Sequence, residues 1–181
     1  MRARATFGAA AAVLAALVSA AGGATAAYAR PARSPNTFDG TCKLSGELAF
    51  EQPLGNLPRA ITFTDEAAGT CTGALNGMPV QDAPVVNHVR GSATASCLAG
   101  RSLSHDTLVF PRGIAIHLIS DATFGLTQGV SHTTGAVSGD SLVHVNFLPY
   151  TDQSTLAACQ ADALRSARYD LVARTITPLT G

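Results

Sequence analysis

Five histidines are spread along the chain in a way that could bring imidazoles together. One falls in each of five successive extended segments, and adjacent antiparallel strands can place such side chains side by side. Three converging imidazoles would suit zinc or copper. However, no His-x-His pair supplies two ligands from one strand, and alternation does not put His117 and His144 on one common face. The sequence therefore predicts no metal site, and the candidates to check are His88, His105, His117, His132 and His144.

The residues Gly139-Asp140-Ser141-Leu142 spell the GDSL signature of a family of serine esterases. In that family the serine is the nucleophile, lies near the start of the domain before a helix, and works with a late Asp-x-x-His pair. Here the motif comes late and continues directly into an alternating strand, and no histidine follows His144. Because a serine without a base is not activated, we interpret the motif as a hairpin turn.

Two other stretches contain nucleophile types. Residues 69–73 (GTCTG) match a Gly-x-nucleophile-x-Gly elbow with Cys71 as the nucleophile, but an elbow needs a strand-to-helix turn and this stretch is extended. In Ser104-His105-Asp106, neighbours on a strand point to opposite faces, so His105 leaves the face that Ser104 and Asp106 share. Neither stretch predicts a catalytic group.

Carboxylates could still pair in space for glycoside hydrolysis. The candidates are Asp65, Glu66, Asp106, Asp121 and Asp140, most of which fall at predicted strand ends, where a solvated turn carboxylate is the simpler interpretation. The chain has no Trp for a carbohydrate platform, and it has no phosphate loop or dinucleotide fingerprint. We predict no catalytic residue and no cofactor.

The start of the chain is typical of a secretory signal peptide. Two arginines precede an uninterrupted apolar run at residues 9–18, and small-x-small cleavage sites follow at 24–26 and 27–29. The run is shorter than the roughly 20 residues that a spanning helix needs. The predicted organisation is a signal peptide at 1–29, a flexible lead-in at 30–40 and one domain at 41–181.

Composition limits the function classes. The chain of 181 residues is 46% hydrophobic, which is too apolar for a disordered protein, and its Gly and Thr content is too high for a helical one. Without Arg2 and Arg4 the charge is about −2, from 10 basic and 12 acidic side chains. Such a surface gives no electrostatic reason to bind nucleic acid or, after signal cleavage, a membrane.

Four cysteines in an exported chain indicate two disulfides. They are Cys42, Cys71, Cys97 and Cys159, and they contain no C-x-x-C pair. Three pairings are open. We favour Cys71 with Cys97, which would join neighbouring strands, and Cys42 with Cys159, which would join the two ends of the domain.

Alternating hydrophobicity predicts strands through most of the domain, with a central hairpin at Arg101–Asp121 around Pro111-Arg112-Gly113. Asp65-Glu66 is predicted to end a strand, Met78–Pro84 to be a loop or edge, and Gly91 to mark a bulge. The only predicted helix is Ser154–Arg165, with Ser154 as its cap. The fold class is all-β, an antiparallel meander of eight or nine strands closed as a barrel, with a two-sheet β-sandwich as the alternative.

The motif order is also informative. A signal peptide, an early strand Cys, GTCTGALNG at 69–77, Ser96-Cys97 and a Cys before the last strand resemble a loosely related group of exported Ala/Gly/Thr-rich, four-cysteine β-proteins of high-GC bacteria. This resemblance implies a fold and an extracellular compartment and no activity.

These observations support a secreted non-catalytic β-domain that binds an extracellular partner protein or a small apolar ligand. The alternative is a secreted hydrolase or metal-dependent enzyme that uses dispersed His and Asp residues. A third hypothesis, a protease inhibitor, would use the Gly77–Pro84 loop beside Cys71.

Overall fold

The computed structural model describes residues 35–181, so the predicted signal peptide and residues 30–34 of the lead-in lie outside the described residues. Eight antiparallel strands follow one another in chain order and close into a barrel, because the first strand pairs with the last. The strands are β1 (Phe38–Leu54), β2 (Arg59–Leu75), β3 (Met78–Ala95), β4 (Gly100–Phe110), β5 (Ile114–Phe124), β6 (Gln128–Thr134), β7 (Gly139–Asn146) and β8 (Leu164–Thr175). The barrel prediction is confirmed, and the two-sheet alternative is excluded.

In a meander, alternate connections lie at the same end of the barrel. The turns 55–58, 96–99 and 125–127 and the segment 147–163 form one end, which we call the helix end because it carries α1 (Gln153–Gln160). The turns 76–77, 111–113 and 135–138 and the residues 176–181 form the opposite end. Among residues 35–181, no helix has the length and hydropathy to span a bilayer.

Alternation along the strands fills the barrel, because every second side chain points inward. A large apolar cluster near the opposite end includes Phe38, Phe110 and Ile116, and a smaller one near the helix end includes Phe50 and Phe63. Burying each such side chain stabilises the fold by about 1.5–3 kcal/mol. Between the clusters lies a layer of polar side chains, which is described below.

The predicted central hairpin is confirmed. β4 and β5 pair along their whole length, and the connecting residues Arg112 and Gly113 adopt φ values of 62° and 71°. The Asn76-Gly77 turn between β2 and β3 likewise uses φ values of 53° and 74°, as a tight hairpin requires.

Several strand boundaries differ from the prediction. β2 continues through Asp65 and Glu66, because Asp65 points inward and its side chain does not interfere with the backbone ladder. The segment Met78–Pro84 belongs to β3, but it pairs only with β2, since β4 joins from Val86 onward. Its two prolines thus lie on an edge, where a missing N–H costs little. Gly91 pairs without interruption with Phe63 of β2 and Ser104 of β4, so the bulge predicted there is wrong. The register of the β2–β3 ladder shifts between Cys71 and Gly73 instead.

Both favoured disulfide pairings are wrong. The bonds join Cys42 to Cys71 and Cys97 to Cys159. Cys42 lies directly opposite Cys71 in the β1–β2 ladder, whereas Cys97 and Cys159 lie in two neighbouring connections of the helix end. The β1–β8 ladder ties the ends of the domain together without a disulfide.

The ends of two further elements also shift. β1 begins at Phe38, inside the segment 30–40 that the sequence predicted as a flexible lead-in. The helix α1 is shorter than predicted, and Asp152 rather than Ser154 caps it by accepting a hydrogen bond from the Thr155 N–H. None of the residues of α1 is buried.

Candidate functional site: an apolar end and a polar interior

The helix end exposes a leucine on each of its four connections. Their exposed fractions run from 55% to 82%, although large apolar side chains in a folded domain are usually buried. They are Leu57 in the β1–β2 turn, Leu98 in the β3–β4 turn, Leu126 in the β5–β6 turn, and Leu148 and Leu156 in the β7–β8 segment. Apolar side chains therefore gather at one end of the barrel.

Local sequence explains why these leucines protrude. The first three turns read GNLP (55–58), SCLA (96–99) and GLT (125–127), so each leucine sits among small or turn-forming residues at a reversal of the chain. None of these three turns carries a charged residue. The turns thus present apolar tips with no ionic group to keep them hydrated.

The connections of the helix end are bonded to one another. The Cys97 N–H donates to the Gly55 carbonyl over 2.9 Å, and Cys97 is bonded to Cys159 of α1. Asp162, just after α1, accepts a hydrogen bond from the Asn56 N–H at 3.1 Å and pairs with Arg59 at 3.2 Å. Three of the four leucine-bearing connections therefore form one braced surface, which lowers the entropy lost on binding.

The polar layer inside the barrel contains two acids. Asp65 of β2 accepts a hydrogen bond from the Tyr169 hydroxyl of β8, and Asp106 of β4 accepts one from Ser120 of β5 at 2.7 Å. Of the five carboxylates considered from the sequence, only these two face inward. Asp65 is 9% exposed and Asp106 is half-buried, so the two acids lie on the inner wall of the barrel and not in an open cleft that a polysaccharide could enter.

Burial changes the acidity of this layer. Desolvation raises the pKa of Asp65, and the nearby Asp106 raises it further, while the Tyr169 hydrogen bond opposes the rise. Desolvation likewise raises the pKa of Asp106, against the hydroxyls of Ser120 and Ser104. Burial and the Asp65 carboxylate together raise the pKa of Tyr169, so its hydroxyl stays protonated and donates.

The five histidines lie on the outer face, and no two are opposite each other in register. His88 Nδ1 lies 3.5 Å from Glu66, His117 Nδ1 lies 3.1 Å from the Thr107 hydroxyl, and His132 Nδ1 lies 2.6 Å from Asp140. Between residues 35 and 181, no three His, Cys, Asp or Glu side chains form a group that could hold a metal. The structure does not bring the candidate imidazoles together.

The structure also shows where the residues of the serine and cysteine motifs lie. Ser104 is buried and His105 is exposed, as strand alternation predicted. The GDSL motif opens β7, where Asp140 bonds to His132 on the outer face and Ser141 points to the other side. Cys71 is in a disulfide. None of these groups has the hydrogen bond to a base that activates a nucleophile.

One convergence was not predicted from the sequence. A groove of about 530 Å³ on the outer wall is lined by Ser45, His144 and Asp170 from three adjacent strands. Ser45 donates to Asp170 Oδ1 over 2.6 Å, and the Tyr150 hydroxyl donates to the same oxygen over 2.9 Å. Because the serine proton faces a carboxylate and not the imidazole, the three types do not form a triad.

The chain matches no protein-family model, no curated protein and no solved structure. The resemblance to exported β-proteins of high-GC bacteria stays a prediction from the sequence.

Proposed function

We propose that this protein is a secreted, non-catalytic β-barrel domain that binds another protein through its helix end. The observation that carries the proposal is the set of five exposed leucines on four connections of that end. Exposed large apolar side chains grouped on one part of a domain surface can mark an interaction site. Small braced tips would insert into a complementary apolar surface of the partner.

The interior favours a protein partner over a small apolar ligand. Barrels that hold apolar ligands need an apolar hollow at the centre. Here the central part of the inner wall carries Asp65, Asp106, Ser104 and Ser120, and apolar clusters fill the barrel on both sides of them. A ligand placed there would separate these groups from their hydrogen-bond partners.

The charges around the leucines indicate what the partner surface is like. Arg59 is paired with Asp162, and Arg165 donates to the Glu51 carbonyl at 3.1 Å. Asp152 is occupied as the cap of α1. With its charges engaged locally, this end suits an apolar partner surface with a polar and nearly neutral rim.

The four cysteines support the extracellular part of the proposal. All of them are oxidised in two disulfides, and such bonds persist in oxidising compartments. The signal-like start of the sequence points the same way. The enzymatic alternative has less support, since the histidines point outward and apart and the candidate nucleophiles lack a base.

The test compares three immobilised proteins as baits for the culture fluid of the producing organism. They are the wild type, the helix-end variant Leu57→Ser/Leu98→Ser/Leu148→Ser, and a control at the opposite end, Met78→Ser/Ile176→Ser, which removes side chains that are 62% and 61% exposed. A protein retained by the wild type and the control is then purified, and its dissociation constant is measured. We expect the helix-end variant to bind at least about 100-fold more weakly, because each buried leucine contributes about 1.5–3 kcal/mol.

Equal binding by the wild type and the helix-end variant would contradict the proposal, as would a wild type that retains nothing the variant loses. Matching unfolding midpoints for the three baits exclude misfolding as the cause.

A further inference from the structure

Three buried oxygen atoms in the barrel wall have no hydrogen-bond partner. They are Asp65 Oδ1, Asn87 Oδ1 and Asp106 Oδ1, and all three are acceptors. The backbone of Glu47 and of Glu66 lowers the pKa of Asp65, but no donor lies in hydrogen-bond geometry with Asp65 Oδ1. Buried polar atoms are nearly always satisfied, so three orphaned acceptors indicate a missing donor or cation.

The register places the three residues around one point of the inner wall. Asp65 on β2 lies opposite Val89 on β3, and Val89 lies opposite Asp106 on β4. Asn87 is the next inward position along β3. Neighbouring strands are about 4.8 Å apart, and inward side chains converge on a curved wall. The effect of Asp106 on the pKa of both Asp65 and Tyr169 fits one shared polar chamber.

A glycine gives Asp65 and Tyr169 room to pack on the inner wall. A Cβ at Gly46 would lie 2.9 Å from both Asp65 Oδ1 and the Tyr169 hydroxyl oxygen, closer than side chains tolerate. Any other residue at this position would therefore displace the acid or the phenol.

The chamber has negative groups and no base. The inward neighbours of the two acids in register are Leu48, Val89 and Leu118. The hydroxyl of Tyr169 donates to Asp65, and those of Ser120 and Ser104 lower the pKa of Asp106. The nearby cationic side chains, such as Arg90 and His105, belong to outward positions of β3 and β4. Two ionised carboxylates there would lack a counter-charge, which is costly in a buried site.

We propose that this chamber binds one calcium ion between Asp65 and Asp106, with the Asn87 amide oxygen as a further ligand. Two carboxylates balance the charge of a divalent cation. The donors are all oxygens, which suits a hard cation and not zinc or copper, and calcium accepts irregular sets of carboxylate, amide and hydroxyl oxygens. Any proton on the carboxyls leaves to solvent as the ion binds. Magnesium, which requires near-octahedral geometry, binds more weakly here.

The main test uses the purified protein, unfolded in guanidinium with its disulfides intact and freed of metal with a chelator. It is refolded at about pH 7 with calcium or with chelator. We expect about one calcium per chain, a dissociation constant of about 10⁻⁴–10⁻³ M, and a higher midpoint of thermal unfolding with calcium. Asp65→Asn/Asp106→Asn should bind no calcium and fold without it.

The control Glu47→Gln/Glu66→Gln removes the same charge from exposed positions, opposite each other on the outer face of β1 and β2. It should bind calcium as the wild type does. A wild type without calcium, a control that loses it, or an Asp variant that binds normally would each overturn the proposal. If the Asp variant fails to fold, calcium binding by the wild type at two pH values is the deciding measurement. The proposal requires the wild type to bind calcium at about pH 7 and not at about pH 4.

Terbium gives an independent measurement, because the chain has three Tyr and no Trp to interfere. Terbium bound in the chamber should emit when tyrosine is excited, since Tyr169 lines the site. Tyr150→Phe should keep this emission, because Tyr150 bonds to Asp170 on the outer wall. Emission that depends on Tyr150, or that survives Asp65→Asn/Asp106→Asn, would place the ion elsewhere and overturn the proposal.

Discussion

The two ends of the barrel are closed in different ways. At the opposite end the C-terminal residues continue the ladder of β8, since Leu179 bridges Phe38 and Thr180 bridges Ser138, and Leu179 and Val137 are almost fully buried. At the helix end, α1 buries none of its residues, and leucines remain exposed to solvent. The opposite end thus buries apolar side chains of its C-terminal segment while it exposes Met78 and Ile176, whereas every connection of the helix end exposes a leucine.

The two disulfides show the same contrast. Cys42 and Cys71 are 4% and 0% exposed and join strands that are already paired. The Cys97–Cys159 bond joins a turn to a helix that has no buried residue of its own. The first bond reinforces a ladder, and the second largely holds α1 in place.

The largest expected effect comes from removing the disulfide at the helix end. Its cysteines are 62 residues apart, and those of the other bond 29. In the chain-entropy model, Cys97→Ser/Cys159→Ser should lower the free energy of unfolding by about 4 kcal/mol and Cys42→Ser/Cys71→Ser by about 3.5 kcal/mol. Only the first variant should also speed amide exchange in α1. Urea unfolding and hydrogen exchange measure the two effects, and equal protection of α1 in both variants would remove the contrast.

The variant Leu179→Ala tests how well the apolar side chains of the opposite end are packed. This leucine is 5% exposed and packs in the larger apolar cluster, so truncation should cost about 2–5 kcal/mol of unfolding free energy. Leu148→Ala is the matched control at the helix end, where the side chain is 82% exposed, and it should change stability by less than about 0.5 kcal/mol. Denaturant titration of both variants decides, and similar losses would show that the ends are equally packed.

The acids between the two clusters predict how stability depends on pH without metal. Burial raises the folded-state pKa of Asp65 and Asp106 above the unfolded value of about 3.9. Their favourable contribution is complete below about pH 3.9 and is lost as pH rises through the folded values, by about 1.4 kcal/mol per pKa unit. Thermal unfolding in chelator should therefore show stability falling toward neutral pH. Asp65→Asn/Asp106→Asn should flatten this fall, and an unchanged profile would contradict it.

Two exposed carboxylates have lowered pKa values and therefore change stability with pH in the opposite direction. Arg101 donates hydrogen bonds of 2.9 and 2.6 Å to Asp121 and lowers its pKa. The Thr155 N–H and the Ser154 hydroxyl lower the pKa of Asp152. Such groups lose their stabilising contribution as the pH falls below about 3.9. The buried acids lose theirs as the pH rises, so stability measured across pH distinguishes the two groups.

Alternation along the chain predicted most of the strands, but it did not distinguish a closed barrel from a two-sheet sandwich. The expected bond between Cys42 and Cys159, which favoured the barrel, does not form. Alternation failed at Asp65, because a carboxylate at an inward position looks like a strand end. The residue that makes this position tolerable, Tyr169, is 104 positions away. Disulfide pairing failed for the same reason, since a continuous β2 is what places Cys71 opposite Cys42. Both depend on register between strands, which no local pattern contains.

The apolar end was partly visible in the sequence. Leu57, Leu98 and Leu126 each stand within Gly, Pro, Asn or Ala turn sequences rather than in an alternating run. Whether such leucines share one end depends on the number of strands between them. An even number returns the chain to the same end, so a count of eight or nine strands left their grouping open.

The smallest expected effect on stability separates binding surface from core. Leu57→Ser/Leu98→Ser/Leu148→Ser should change the free energy of unfolding by less than about 0.5 kcal/mol per site, because these side chains are exposed in the free protein. The same variant should bind less of an apolar dye such as anilinonaphthalene sulfonate, which reports exposed apolar surface. Met78→Ser/Ile176→Ser should reduce dye fluorescence less, since those two residues are not part of a braced cluster. If both variants reduce it equally, the apolar surface is distributed over both ends, and the leucines of the helix end do not form a distinct binding surface.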